Sequence, residues 1–203
     1  MAPPEWLLVF ARYPQPGTAK TRLIPALGAQ GAAAVHARLT ESTLAVARAL
    51  QRDRGAAVTV CHAGATPAQM QAWLGAQVAY EAQSAGDLGE RLRVAFNRAF
   101  ARGAQRVVAI GTDCPELGSG ALAAAFERLR RQDVVLGPAA DGGYYLIGLS
   151  GLAPELFAGI DWGTARVWQQ TAATADRLGL ARSQLAVRYD IDRPADLARS
   201  VRL

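Results

Sequence analysis

Lysine is nearly missing from this chain: Lys20 stands alone, and the other 21 basic residues are arginine. Histidine occurs only as His36 and His62, with no partner at ligand spacing, which excludes a histidine-built metal centre. The two cysteines, Cys61 and Cys114, lie far apart and form no metal-type pattern. Reduced thiols in a cytoplasmic protein are expected rather than a disulfide. Nothing beside Cys114 marks it as an activated nucleophile. No apolar run is long enough to span a bilayer, so a membrane protein is not expected. The opening stretch, MAPPEWLLVFARYP, has no basic segment ahead of its apolar run and does not read as a secretory leader. Blocks of like charge, repeats and low-complexity linkers are also missing.

What is present is a chain of 203 residues, about half of them apolar, which suits one domain over 1–203 with a single large core. The net charge of +5 and a pI near 9.8 raise the question of nucleic acid. Yet Arg91 and Arg93 stand beside Asp87 and Glu90, and no aromatic–basic stripe occurs. Small phosphorylated substrates are the expected partners, not nucleic acid.

Strand-like and helix-like stretches alternate. WLLVFA (Trp6–Ala11) is a continuous apolar run that suits a strand buried on both faces. A long helix is expected from about Gly28 to Arg52, with Val35, Leu39, Thr43, Val46 and Leu50 on its apolar side. A strand at Ala56–Ala63, a short helix at Pro67–Leu74 and a strand in QVAYEAQ follow. Leu88, Leu92, Ala95, Phe96, Ala99 and Phe100 make one helical stripe that ends at Gly103. RVVAIGTD (Arg106–Asp113) reads as a buried strand and Ser119–Arg131 as a helix. DVVLGPA and GYYLIGLS are strands separated only by a turn, so a local antiparallel element is expected. A helix near Gly163–Leu180 and a strand LAVRYD (Leu185–Asp190) complete the body. The pattern predicts an α/β fold with a mostly parallel sheet covered on both faces, and ligands beyond the carboxyl ends of the strands.

Three strand ends carry polar, backbone-special sequences. RYPQPGTAKTRL offers Arg12, Gly17, Lys20 and Arg22, the parts of a phosphate cradle. It lacks the GK[ST] ending of a Walker loop, and a Pro/Gly connector with solvated cations is the other reading. In a chain that otherwise uses arginine, the lone lysine favours the cradle. Asp113 leaves its strand in GTDCPEL, and Asp190 and Asp192 occupy DIDRPADL. Each alone suits a turn or cap. Together, carboxylates from two strand ends facing a basic loop suit Mg²⁺ or Mn²⁺ holding a diphosphate.

Three further motifs carry two readings each. DGGYY, with Asp141, Gly142 and Gly143, is either a tight hairpin turn or a loop where backbone meets substrate. In GDLGERL, Asp87 and Glu90 satisfy a capping box, and Gly86 and Asp87 are also candidates at the nucleotide. In DWGTARVW, Thr164 is the expected N-cap, and Trp162 either stacks on a ring or packs.

In this order, FARYPQPGTAKTRL, GDLGERL, GTDCPEL, GPAADGGYYLIGL, WGT and DIDRPADL resemble the DUF2064 family of glycosyltransferase-like proteins. That family is related to the nucleotide-diphospho-sugar transferases of GT-A fold, phospholactate guanylyltransferases among them. The resemblance implies a Rossmann-like GT-A fold that binds a nucleotide through its N-terminal half. It implies a metal at Asp113, completed by Asp192, and phosphates at Lys20 and Arg22. The motif DCP stands here where many glycosyltransferases carry D-x-D.

The leading expectation is a metal-dependent glycosyltransferase using a nucleotide-sugar and a small-molecule acceptor. In that reaction Lys20, Asp113 and Asp141 are the catalytic candidates, and Asp141, Gly142, Gly143 and Trp162 face the acceptor. The alternatives are nucleotidyl transfer from a nucleoside triphosphate to a phosphorylated small molecule, and a non-catalytic nucleotide-binding module. The sequence leaves room for a homo-oligomer.

Overall fold

In a computed structural model, which describes residues 4–199, the expected alternation closes into one seven-stranded sheet in the order β3-β2-β1-β4-β6-β5-β7. The strands are β1 (Glu5–Arg12), β2 (Ala57–Ala63), β3 (Ala79–Ala82), β4 (Arg106–Ile110), β5 (Val134–Pro138), β6 (Tyr144–Leu149) and β7 (Arg182–Gln184). The helices are α1 (Ile24–Arg54), α2 (Pro67–Leu74), α3 (Leu88–Ala101), α4 (Ser119–Arg128) and α5 (Val167–Arg177). The fold is therefore a Rossmann-like α/β arrangement with a mixed, mostly parallel sheet.

β1 shows why a continuous apolar run is needed at the centre. Leu7, Val9 and Ala11 face one layer with Leu44, Met70 and Phe126 of α1, α2 and α4. Leu8, with Trp6 and Phe10, faces the other layer with Phe96 of α3 and Ala172 of α5. Alternate side chains of a strand point to opposite faces, so both parities must be apolar. Full burial of a side chain the size of Phe96 or Phe126 contributes about 1.5–3 kcal/mol.

β6 runs antiparallel to β4 and β5, as the short β5–β6 connection requires, while all other neighbouring strands pair in parallel. This reversal positions the site. Ile110, the last residue of β4, pairs with Leu146, so the residues just before β6 project beyond the carboxyl end of β4. The turn at 139–143 thus stands at the same sheet edge as Gly111–Asp113.

Four local expectations are corrected. α1 begins at Ile24, before Gly28, and Gly28 (φ 69°, ψ 168°) kinks it. α5 begins at Val167, and Thr164 forms a turn with the Arg166 N–H (3.3 Å) instead of capping the helix. The last strand is β7 at 182–184, whereas 185–190 follows β5 irregularly through Leu185 N–H to Leu136 O (2.8 Å) and one bridge at Ala139–Arg188. Leu88, read as part of the α3 core stripe, is 44 % exposed. It is the first residue of the helix and lies above the core that Leu92 and Phe96 enter. Among the described residues, no helix is long and apolar enough to cross a membrane.

Candidate active site

Lys20 lies in the loop after β1 with φ 50° and ψ 45°, the only non-glycine among the described residues with positive φ. For a residue with a Cβ this left-handed conformation is unfavourable by roughly 1–2 kcal/mol. It turns the side chain down between two other loops. The Nζ donates to the Ile191 carbonyl (2.5 Å) and to Asp192 Oδ1 (2.7 Å). It also sits 2.7 Å from Asp113 Oδ1, outside hydrogen-bond alignment. The lysine side chain is 5 % exposed, whereas Asp113 and Asp192 are 39 % and 35 % exposed. The ammonium therefore forms a floor, and the carboxylates look outward above it. Burial works against the Lys20 charge, but the two carboxylates outweigh it and hold its pKa above the usual lysine value.

The loops are tied to each other by backbone as well. Ile191 donates its N–H to the Asp113 carbonyl (2.8 Å), and its side chain is fully buried beside Leu23 and Leu39. In extended chain, anchoring Ile191 inward sends Asp190 and Asp192 together to the other side. Asp113 and Asp192 flank the lysine, and Asp190 stands within the field of these two, of Asp141 and of the lysine. Burial first, then the charges of Asp113, Asp141 and Asp192, push the Asp190 pKa up to about 7, with Lys20 pulling the other way.

Two hollows meet here. The first, of about 420 Å³, lies over β1, β2 and β4 and is lined by Arg12, Thr18, Lys20, Gln83, Thr112 and Asp113, among others. The second, of about 630 Å³, lies toward α5 and includes Asp141, Gly143, Tyr144, Trp162, Tyr189 and Asp190. Arg22, Leu88 and Asp192 line both. Arg22 stands 3.6 Å from Asp192 Oδ2 with a 64 % exposed side chain, so its guanidinium is able to reach a ligand at the junction.

Lys20, Arg12, Arg22, Asp113 and Asp192 therefore come together around the first hollow, and Asp141, Gly143 and Trp162 line the second. Gly17 (φ 84°) turns the loop without lining either hollow. Gly86 and Asp87 also line neither: Asp87 Oδ1 accepts the Glu90 N–H (2.9 Å) and caps α3. Only half of the capping box forms, because the Glu90 carboxylate pairs with Arg93 (2.6 Å). Gly142 meets protein, not open space: a Cβ there would lie 2.2 Å from the Ala165 carbonyl. Trp162 packs edge-on to Tyr144 (centroids 6.2 Å) while still lining its hollow.

Sequence reasoning missed Gln83 and His36. Gln83 closes the edge of the first hollow, its Nε2 donating to the Cys61 carbonyl (2.8 Å) and its Oε1 accepting from Arg91 (3.3 Å). Applying the carboxyl-end rule to β3 as well would have found it. His36 donates from Nε2 to the Arg12 carbonyl (2.9 Å) and so supports the start of the lysine loop from α1. Its partner is a backbone atom, so no pairing of residue types signals it.

Among the described residues, no three His, Cys, Asp or Glu side chains are placed to hold a metal ion. The donor set nonetheless suits a hard divalent cation. Asp113 and Asp192 offer oxygen only, they converge on one point, and Asp113 Oδ1 is a buried atom without an aligned hydrogen-bond donor. A Mg²⁺-type ion bound by one or two carboxylates takes the rest of its shell from phosphate and water.

Comparison with known proteins agrees with this architecture. No curated protein matches the chain. A Desulfovibrio desulfuricans G20 crystal structure, provisionally described as a nucleotide-diphospho-sugar transferase, is 36 % identical; the match covers 100 % of this chain and 87 % of that one, with a TM-score of 0.92. Two more distant structures share the fold. Rv0371c from Mycobacterium tuberculosis H37Rv, in complex with manganese, is 18 % identical over 96 % of each chain, with a TM-score of 0.59. A CMP:2-keto-3-deoxy-manno-octonic acid synthetase complexed with CTP is 12 % identical over 97 % of this chain and 96 % of its own, with a TM-score of 0.58. The model of a family described as uncharacterized protein conserved in bacteria matches residues 44–164. With more than half its length matched, the chain belongs to the DUF2064 family.

Proposed function

We propose that this protein is a divalent-cation-dependent nucleotidyltransferase that joins a nucleoside triphosphate to a small-molecule acceptor and releases pyrophosphate. The observation that carries the proposal is the junction itself. Lys20 and two carboxylates meet at 2.7 Å where a nucleotide-sized hollow adjoins a second one, with Arg12 and Arg22 along the first. In such a reaction an acceptor oxygen attacks the α-phosphorus, the bond to the β-phosphate oxygen breaks, and pyrophosphate carries away the electron pair. Negative charge accumulates at the junction, and donors aimed at such charge are worth about 3–4 kcal/mol each in the transition state.

The first hollow takes the nucleotide, with Arg12 and Arg22 holding phosphates, and the second takes the acceptor beside Asp141 and Trp162. Asp113 and Asp192 would hold Mg²⁺ or Mn²⁺, which would supply positive charge against the charge that develops on the phosphates. Asp141 is the candidate to orient the attacking group. Its Oδ1 already accepts the Gly143 N–H (2.9 Å), which fixes the carboxylate toward the second hollow. The CTP complex of a synthetase and the manganese complex of Rv0371c, both of the same fold, support the ligand classes.

Sugar transfer from a nucleotide-sugar is the second reading, favoured by the description of the 36 % identical relative. Product analysis separates the two. Incubation with Mn²⁺ and a panel of nucleoside triphosphates and nucleotide-sugars should release pyrophosphate if the proposal holds. Release of nucleoside diphosphate from a nucleotide-sugar would transfer the assignment to sugar transfer, and binding without turnover of any acceptor mixture would reject both.

A further inference from the structure

In the conformation described, the Lys20 ammonium at the floor of the first hollow is engaged by the protein itself. It is surrounded by three protein oxygens, Asp113 Oδ1 and Asp192 Oδ1 at 2.7 Å and the Ile191 carbonyl at 2.5 Å, and the side chain is 5 % exposed. Two of the ammonium's three N–H donors go to the Ile191 carbonyl and Asp192 Oδ1, and its charge faces Asp113 as well. The ammonium therefore occupies the point on which the two carboxylates converge, where a cation held by both would sit.

We propose that Lys20 is the resident counter-ion of the Asp113–Asp192 pair, so that a divalent cation and the triphosphate enter the site together and neither precedes the other. This rests on the metal and nucleotide reading of the same site and adds an order of binding to it. Without nucleotide, the ammonium offsets half the charge of two carboxylates that would otherwise repel each other at close range. A bare divalent cation seated between the two carboxylates must displace it, leaving a buried lysine with the Ile191 carbonyl alone and no counter-charge, which is strongly unfavourable. A metal–triphosphate complex removes that obstacle, because the incoming phosphate oxygens supply the lysine with new acceptors as the metal takes its old ones. The geometry around Lys20 suits such an exchange: the loop carrying it holds the one positive-φ non-glycine among the described residues, so its released form is free to relax. Arg22, exposed above the same aspartate, is placed to receive the phosphates first. The exchange also gives a reason for lysine in a chain of arginines. A compact point charge fits among three oxygens and lets them go, whereas a planar guanidinium prefers a fixed bidentate partner.

The test uses Mn²⁺ alone. Binding is measured by loss of the free-ion electron paramagnetic resonance signal, for wild type and for Lys20→Met, with no nucleotide present. Lys20→Met should bind Mn²⁺ at least tenfold more tightly than wild type; equal or weaker binding would overturn the proposal. A second measurement avoids any folding defect of the variant. Because Lys20 is the only lysine, protein grown on ¹³Cε-lysine has a single lysine side-chain NMR signal. That signal should stay in place with millimolar Mg²⁺ and move when inorganic tripolyphosphate is added with Mg²⁺. Movement with Mg²⁺ alone, or none with both, would overturn the exchange. Pyrophosphate release with no tighter Mn²⁺ binding by Lys20→Met would sink this inference and leave the proposed reaction standing. Tighter binding without turnover would do the reverse.

Discussion

The backbone N–H of Ile191 donates to the carbonyl of Asp113 at 2.8 Å. That bond joins the loop after β4 to a segment near the chain's far end and sets Asp113 and Asp192 on the same side of the join. With Ile191 buried as the anchor, the two backbone segments do not separate without breaking a hydrogen bond and exposing an apolar side chain. Four predictions follow from this arrangement and its surroundings.

Asp113→Ala removes a proposed metal ligand while leaving the backbone bond to Ile191. Turnover should fall by on the order of a hundredfold or more, in line with about 3 kcal/mol of lost transition-state stabilisation. The melting temperature should fall only modestly, because the buried Lys20 keeps Asp192 and the Ile191 carbonyl as partners. Steady-state rates paired with thermal unfolding check this, and a variant with full activity would remove Asp113 from the mechanism.

Lys20→Arg keeps the charge but not the shape. The buried space between Asp113, Asp192 and the Ile191 carbonyl accepts a tetrahedral ammonium, and a guanidinium must push the carboxylates apart. The variant should lose at least about tenfold in turnover. Activity equal to wild type would mean that charge alone matters at this position.

Asp190 gives the pH dependence. Its folded pKa is raised from 3.8 to about 7, so between these values the folded chain keeps a proton that the unfolded chain has released. The resulting stabilisation is complete below 3.8 and disappears as the pH rises through about 7. Asp190→Asn keeps the side chain neutral throughout. In metal-free buffer it should show a flatter stability profile and exceed wild type above pH 7, measured by denaturant unfolding. Parallel profiles for the two proteins would count against the raised value.

Gly142 and Gly143 should behave differently despite being neighbours. Gly142 has φ 91°, and a Cβ would press on the Ala165 carbonyl at 2.2 Å, so Gly142→Ala should destabilise by at least about 2 kcal/mol. At Gly143 the nearest contact would be Asp141 Oδ1 at 3.2 Å, and Gly143→Ala should stay within about 1 kcal/mol. Urea denaturation of the pair tests this, and equal losses would refute the role given to the Ala165 contact.

Much of the fold was legible because its signals are local. Trp6–Ala11 had to be buried on both faces to be so uniformly apolar, the short helix at Pro67–Leu74 formed where it was expected, and the short gap between Val134 and Tyr144 left no room for a crossover. The misreadings share a cause. The stretch 185–190 has strand-like composition, but it follows β5 only loosely, because Ile191 must still reach Asp113. Leu88 fits a helical stripe, yet one turn of helix separates the core from the open hollow, and periodicity does not say where the core ends. Asp87 and Glu90 had the right spacing for a capping box, but Arg93 claims the glutamate.

The sequence by itself determined the alternation of strands and helices, the sheet edge where polar residues gather, and the singularity of Lys20. These depend on composition and spacing within a few residues. Only the tertiary structure decided that Lys20 and Asp192, 172 positions apart, touch at 2.7 Å, that Asp113 shares the same ammonium, and that Asp87 caps α3 outside both hollows. Contacts at that separation are set by strand order, by the reversal at β6 and by the burial of Ile191, none of which is written in the residues that meet.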